Sequence, residues 1–98
     1  MIKNILIIDD DSALARSLQL QLGAHSIESV TAGTAADGIS ALEKDRPDMI
    51  LLDINLPDGN GLTVMENITE EYPDIPVVMV TARQDMATHH HSYAQRSL

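Results

Sequence analysis

Three short apolar runs and one weaker, alternating stretch mark the strands that this sequence predicts. The runs cover residues 5–8, 49–52 and 77–80 and contain no polar residue. Runs of this kind are typical of strands that are covered on both faces, as in the middle of a parallel sheet. The alternating stretch, residues 27–31, suits the edge of a sheet. The pattern therefore predicts three buried strands and one edge strand.

The segments between these strands carry apolar residues at helical spacing. The first predicted helix has leucines four residues apart, begins after a cap at Asp11 or Ser12, runs to about Leu22 and is terminated by Gly23. A second helix begins after a cap at Thr34, and a third follows the loop 57–61. Strands and helices alternate with short connections, so the sequence predicts an α/β fold with a parallel sheet and right-handed crossovers.

Polar side chains stand where the buried strands end. Asp9, Asp10 and Asp11 follow the first strand, Asp53 follows the third and Thr81 the fourth. A helix cap accounts for one acid of the triplet, and Asp53 alone could simply end a strand. Because the carboxyl ends of parallel strands meet at the ligand crevice of open α/β sheets, however, we expect these groups to lie close together.

Clustered carboxylates of this kind predict a cation site with a definite chemistry. They repel one another unless a cation lies among them, and a small set of oxygen ligands favours Mg²⁺ over zinc. A carboxylate beside Mg²⁺, with a hydroxyl close by, can attack a phosphoryl group and hold the resulting acyl phosphate. The loop after Asp53 contains Pro57, which fixes the backbone, and Gly59 and Gly61, which permit positive φ, so we predict a turn-rich loop.

Composition and charge narrow the classes of function. The 98 residues are 44% hydrophobic without Phe or Trp, which predicts one domain with an aliphatic core. The net charge of −9 argues against direct nucleic-acid binding, and the absence of cysteine excludes a thiolate metal site. No apolar run is long enough for a membrane span or a signal segment. We therefore expect a soluble, cytoplasmic domain that binds neither membrane nor nucleic acid directly.

Three motifs follow the strand ends in order: Ile-Ile-Asp-Asp-Asp, then Leu-Leu-Asp-Ile-Asn-Leu-Pro-Asp-Gly-Asn-Gly, then Val-Thr-Ala-Arg. Together they resemble the receiver domain of bacterial two-component response regulators, over residues 1–83. In sequence, the first and third motifs are most similar to those of receivers of σ54-dependent activators. The resemblance implies a flavodoxin-like, doubly wound parallel sheet with strand order 2-1-3-4-5.

The same resemblance implies roles for individual residues. Asp53 is expected to be the phosphoacceptor, and Thr81 the hydroxyl that turns toward the phosphoryl group. Asp9, Asp10 and Asp53 are expected to bind Mg²⁺, together with the backbone carbonyl of Asn55. The expected partners are a histidine kinase, which supplies the phosphoryl group, and an output domain that is normally in the same chain and is a DNA-binding transcription activator.

The resemblance stops near Arg83. Receivers continue with a helix, a strand carrying a lysine and a last helix, whereas this sequence has no lysine after Lys44. We therefore predict an incomplete receiver domain, residues 1–83, that lacks the last helix–strand–helix, followed by an unrelated tail, residues 84–98. A frameshift in the gene would produce such a tail. Its three consecutive histidines either bind a transition metal loosely or are simply solvated.

The expected truncation has a consequence for assembly. Without a fifth strand, residues 77–80 would form an exposed sheet edge, which is a template for pairing with another chain. Without a last helix, apolar surface from Ile5, Ile7 and the central strand would be bare. The sequence therefore predicts a homodimer through the edge of the fourth strand.

Two other classes of function compete with the receiver. A Mg²⁺-dependent phosphatase of the haloacid dehalogenase type also uses an aspartate after a parallel strand. Its fingerprint requires a second acid two residues later, where this sequence has Asn55. A nucleotide-binding α/β domain would require a Gly-rich loop after the first strand, where the three acids stand instead. We therefore predict a binding and switching module rather than an enzyme.

Overall fold

The computed structural model describes residues 1–80, in which strands and helices alternate as predicted. The elements are β1 (Asn4–Ile8), α1 (Ser12–Ala24), β2 (Glu28–Ala32), α2 (Ala35–Lys44), β3 (Met49–Asp53), β4 (Asn55–Leu56), β5 (Gly59–Asn60), α3 (Gly61–Glu71) and β6 (Val77–Val80). Four strands form one parallel sheet in the order β2-β1-β3-β6, and β4 and β5 form a separate antiparallel hairpin.

This topology confirms the predicted fold class. The weak, alternating strand β2 lies at one edge, and β6 takes the fourth place in the flavodoxin-like order. No helix within residues 1–80 has the length and apolar character that crossing a membrane requires. The predicted absence of the last helix–strand–helix and the predicted boundary at Arg83 concern residues 81–98, which lie outside the described part of the chain.

The larger part of the core lies between the sheet and helices α2 and α3. Ile8, Ile50 and Leu52 are each 0% exposed and belong to this cluster, as do Met65 and Ile68 of α3. Burying an aliphatic side chain of this size stabilises the fold by about 2 kcal/mol. The residues before Asp9 and Asp53 are therefore held firmly, and the core fixes where these two aspartates leave their strands.

Helix α1 covers the other face of the sheet with a smaller cluster. Ile5, Ile7 and Ala15 are buried there, and Met49 and Leu51 are partly buried against them. The expectation that Ile5 and Ile7 would be bare is wrong, because α1 packs directly over β1 and leaves them 5% and 1% exposed. Partly exposed apolar side chains of this face lie on β3, at Met49 and Leu51, and on β6, at Val78 and Val80.

The two ends of α1 show which local predictions hold. Asp11 is the N-cap, because its Oδ1 accepts the N–H of Leu14 at 3.1 Å. The predicted end at about Leu22, with Gly23 as the terminating residue, is wrong, since the helix continues through Gly23 to Ala24. The reversal takes place at Ser26, whose φ is 63°, and its N–H donates to the carbonyl of Gly23. The last turn is thus closed without a left-handed glycine.

Gly38 has a packing role that the sequence does not reveal. From propensity alone it weakens α2. A Cβ at this position would lie 2.6 Å from Cδ1 of Ile8, which is fully buried. Gly38 therefore allows α2 to pack closely on β1, just before the strand reaches Asp9.

Candidate functional site

The register of the sheet brings two of the predicted site residues together. Ile8 pairs with Leu52, and each is followed directly by an aspartate, Asp9 in one strand and Asp53 in the other. Asp9, Asp10 and Asp53 each offer a carboxylate oxygen, and these three oxygens lie within 4.8 Å of one another. The predicted proximity of the three carboxylates is therefore present at the carboxyl edge of the sheet.

Asp9 is the buried member of the cluster, at 6% exposure. Its N–H donates to the carbonyl of Ala32 at 2.9 Å, and its Oδ1 accepts the N–H of Asp11 at 2.9 Å. Burial raises the pKa of Asp9 from 3.8 to about 6, and the negative charges of Asp53 and Asp11 add to this rise. The N–H of Asp11 opposes it, but burial and repulsion together outweigh that single hydrogen bond.

Asp53 is half-buried at the end of β3, and its pKa is also raised, first by burial and then by the charge of Asp10. The N–H of Asn55 donates to its Oδ1 at 3.3 Å and opposes the rise by favouring the ionised form. Asp53 thus combines access from solvent with an environment that penalises its negative charge.

The cluster fits a small divalent cation. Its three carboxylates are hard oxygen ligands, and burial together with like charges raises the pKa values of Asp9 and Asp53. Within residues 1–80 no lysine or arginine forms an ion pair with it, since the ion pair found there joins the exposed Arg46 and Asp74 at 3.9 Å. The donor set and the charge therefore suit Mg²⁺.

The loop after Asp53 is more regular than predicted. It forms the β4–β5 hairpin, in which Asn55 pairs with Asn60. Gly59 and Gly61 do not use the positive φ that glycine permits, because no glycine in residues 1–80 has positive φ. Gly61 serves close approach instead, since a Cβ there would lie 2.5 Å from the carbonyl oxygen of Asp53. A side chain at this position would push the hairpin away from the end of β3.

Of the other two predicted site residues, Asn55 and Thr81, the structure describes only the first. Asn55 contacts Asp53 through its N–H, whereas the role of its carbonyl stays a prediction. Thr81 lies outside the described residues, although its predecessor Val80 pairs with Asp53 in the sheet. The roles assigned to the aspartates are likewise predictions, to which the structure adds the geometry.

A cavity of about 270 Å³ opens beside the cluster, and its lining includes Asp9, Asp10, Arg16 and Thr31. A larger cavity, of about 690 Å³, lies near β2 and is lined by none of the three aspartates. Cavity size therefore does not mark the candidate site, whereas the convergence of charge does.

Asp58 is a residue near the site that sequence reasoning missed. It lies between β4 and β5, and its carboxylate accepts the N–H groups of Ala35 and Ala36 at the start of α2. An aspartate between Pro57 and Gly59 is typical of a turn, so nothing in the local sequence indicates a partner more than twenty residues away.

The sequence matches the family described as response regulator receiver domain over residues 5–96. This match extends into residues 84–98, so the division of the chain at Arg83 stays a prediction. Over 88 residues the chain is 38% identical to the transcriptional regulatory protein KdpE of Staphylococcus aureus, which covers 90% of this chain and 38% of KdpE. Over 92 residues it is 33% identical to the DNA-binding transcriptional regulator NtrC of Proteus hauseri, covering 94% of this chain and 20% of NtrC.

A solved structure agrees with these relatives. The response regulator protein TrrA of Thermotoga maritima, in complex with Mg(2+)-BeF, superimposes with a TM-score of 0.81 at 26% identity, covering 95% of this chain and 81% of TrrA. The chain thus spans well under half the length of the curated relatives KdpE and NtrC but most of this structure. The sequence match, the doubly wound sheet and the acidic cluster at its carboxyl edge agree: this chain belongs to the response regulator receiver domain family.

Proposed function

We propose that Asp53 is the phosphoacceptor of this receiver domain and that Asp9, Asp10 and Asp53, with the backbone carbonyl of Asn55, bind Mg²⁺. The observation that carries the proposal is the convergence of three carboxylate oxygens within 4.8 Å at the carboxyl edge of the sheet. The complex of TrrA with Mg(2+)-BeF supports the choice of metal, because TrrA has the same fold.

The reaction at Asp53 is a phosphoryl transfer. One oxygen of its carboxylate attacks phosphorus, the bond from phosphorus to the donor breaks, and an acyl phosphate forms on the aspartate. The N–H groups of Asn55 and Ile54 favour the ionised, nucleophilic form of Asp53. The bound Mg²⁺ supplies positive charge to the phosphoryl oxygens. Thr81 is the proposed hydroxyl that turns toward the modified aspartate.

The partners follow from the relatives. A histidine kinase is the proposed donor of the phosphoryl group. KdpE and NtrC are transcriptional regulators, and the chain spans 38% and 20% of their lengths. We therefore propose that the domain controls a DNA-binding output domain in the cytoplasm, and that it acts as a switching module rather than as an enzyme.

Assembly is the last element of the proposal. Within residues 1–80, β6 pairs with β3 along one side and with no strand along the other. An edge of this kind offers backbone groups to another chain, so we propose a homodimer through β6. Sedimentation of the chain at micromolar concentration tests this, and a single monomeric species would contradict it.

Incubation with acetyl phosphate and Mg²⁺ tests the function. We expect the intact mass to rise by one phosphoryl group, and Asp53→Asn to prevent this rise. Asp48→Asn is the matched control, because Asp48 is an exposed aspartate at the opposite end of the same strand. An adduct that lasts for minutes is the receiver's behaviour. Rapid release of inorganic phosphate would instead identify a phosphatase of the haloacid dehalogenase type.

A further inference from the structure

The first turn of α2 is capped by two different parts of the chain. Ala35, Ala36 and Asp37 begin the helix, and their N–H groups have no partner inside it. Oγ1 of Thr34, the N-cap, accepts the N–H of Asp37 at 3.0 Å. The other two N–H groups donate to Asp58, from Ala35 to Oδ1 at 2.7 Å and from Ala36 to Oδ2 at 3.1 Å. A distant carboxylate therefore completes the cap of this helix.

Asp58 stands at the tip of the hairpin that follows Asp53. The base of the hairpin is closed by the pairing of Asn55 with Asn60 and by a hydrogen bond from the N–H of Gly61 to the carbonyl of Ile54, at 2.9 Å. Leu56 anchors its apolar side in the core, at 8% exposure. The two hydrogen bonds of Asp58 hold the other, polar end of the hairpin against the start of α2.

The hairpin also carries a contact to the candidate site. β4 begins at Asn55, and the N–H of Asn55 reaches Oδ1 of Asp53 at 3.3 Å. Only two residues separate Asn55 from Asp58 along the strand and its turn. A displacement of the tip would therefore move the backbone of Asn55 relative to Asp53.

We propose that Asp58 is a positioning residue for the metal and phosphoryl site: by holding the hairpin tip on the N-terminus of α2, it keeps the backbone of Asn55 in place beside Asp53. The inference rests on the proposed function, in which Asn55 contributes a carbonyl to Mg²⁺. It adds a coupling between the site and α2. Because coupling between two equilibria is reciprocal, Mg²⁺ binding should also stabilise the first turn of α2.

A role in helix capping alone gives a different expectation. A cap stabilises its helix, so its removal would lower the free energy of unfolding and leave the affinity of the folded protein for Mg²⁺ unchanged. The positioning role requires that the affinity itself falls. The two roles are therefore separated by measuring metal binding and stability on the same variants.

The test compares Asp58→Ala and Asp58→Asn with Asp37→Asn in the full chain. Asp37 is an acid of the same helix turn, and its carboxylate makes no hydrogen bond within residues 1–80. Titration with MgCl₂, followed by NMR, should show an affinity about tenfold lower in Asp58→Ala, the lower end of the range for residues that orient metal ligands. Asp58→Asn, which keeps one acceptor oxygen, should lie between Asp58→Ala and wild type, and Asp37→Asn should match wild type.

Amide hydrogen exchange supplies the second readout. In wild type, saturating Mg²⁺ should slow exchange at Ala35 and Ala36, and in Asp58→Asn this effect should shrink. Folded Asp58 variants with wild-type Mg²⁺ affinity would overturn the proposal, even if exchange at α2 is faster. If Asp58→Ala does not fold, Asp58→Asn decides the question by the same two measurements.

Failure of the proposed function is distinguishable from failure of this inference. If wild type binds no Mg²⁺, the assigned metal site is wrong. The coupling is then measured without metal, as the change in the amide shift of Asn55 between wild type and Asp58→Asn. A shift confined to α2 would overturn the coupling, and a shift at Asn55 would support it.

Discussion

Aspartates stand at both ends of the central strands, and their surroundings shift their pKa values in opposite directions at the two ends. At the amino end, Asp48 precedes β3 and is exposed. Its Oδ2 accepts the N–H groups of Lys3 and Asn4 at 2.8 and 3.2 Å, and these hydrogen bonds lower its pKa. Its own N–H donates to Oδ1 of Asn4 at 2.8 Å, so that the start of β1 and the start of β3 are joined.

At the carboxyl end, Asp9 and Asp53 meet burial and like charges, and their pKa values are raised. The residue type is the same at the two ends, so the surroundings decide its role. An aspartate whose charge is satisfied by N–H groups stabilises the fold. Asp9 and Asp53 also accept N–H groups, but burial and like charges outweigh these hydrogen bonds, so their negative charges weaken the fold and favour a cation. Groups that lower the stability of the fold but favour binding of a ligand are common at functional sites.

The comparison predicts its largest effect in metal binding. Asp10→Ala and Asp53→Ala should abolish Mg²⁺ binding, because each removes a ligand, and Asp9→Ala should weaken it less if that carboxylate acts through water. Asp48→Asn should leave it unchanged. Calorimetric titration measures all four variants. Wild-type Mg²⁺ affinity in Asp10→Ala would show that the aspartates at the carboxyl edge do not form the metal site.

The second effect is the pH dependence of stability without metal. The pKa of Asp9 is about 6 in the folded chain, against 3.8 for an unperturbed aspartate. The folded state thus binds this proton more tightly, so the contribution of Asp9 is complete below pH 4 and is lost as the pH rises through 6. The loss amounts to about 3 kcal/mol. Urea unfolding in EDTA between pH 4 and 8 measures it. Asp9→Asn should flatten the curve, and an equally steep curve in that variant would contradict the assignment.

A third effect concerns the charge of Asp53. Asp53→Asn should raise the free energy of unfolding at pH 7, since it removes a half-buried charge that Asp10 repels. The gain should be about 1 kcal/mol, the interaction energy of two unit charges about 4 Å apart in water. Urea unfolding in EDTA measures the gain. A less stable variant would show that the N–H of Asn55 stabilises Asp53 more than its neighbours destabilise it.

The smallest effect is expected at the amino end and has the opposite sign. Asp48→Asn should lower stability at neutral pH, because the neutral amide accepts the N–H groups of Lys3 and Asn4 less strongly. The contribution of Asp48 is present above its unfolded pKa and is lost as the pH falls through the lowered folded value. The difference between wild type and variant should therefore vanish in acid. If the difference in stability between wild type and Asp48→Asn instead grows in acid, the lowered pKa assigned to Asp48 is wrong.

The order of the elements and the residues of the acidic cluster could be predicted from the sequence. Apolar runs identify the strands of a covered parallel sheet, and this topology brings strand ends, and thus Asp9, Asp10 and Asp53, to one edge. These are consequences of local pattern and of rules that hold for every parallel sheet. The caps at Asp11 and Thr34 are equally local, since each bonds a group three residues away.

Only the tertiary structure decided the contacts between residues distant in sequence. From sequence alone, Gly38 weakens a helix and Gly61 belongs to a flexible loop. In the structure, glycine is required at Gly38 by close packing on Ile8, and at Gly61 by close approach to the backbone of Asp53. Asp58 is typical of a turn, and Asp48 merely precedes a strand in the sequence, but each accepts N–H groups more than twenty residues away. The raised pKa values belong to the same group, because they depend on burial and on charges from other strands. Local sequence carries no signal for such effects, since they arise from how finished elements pack against one another.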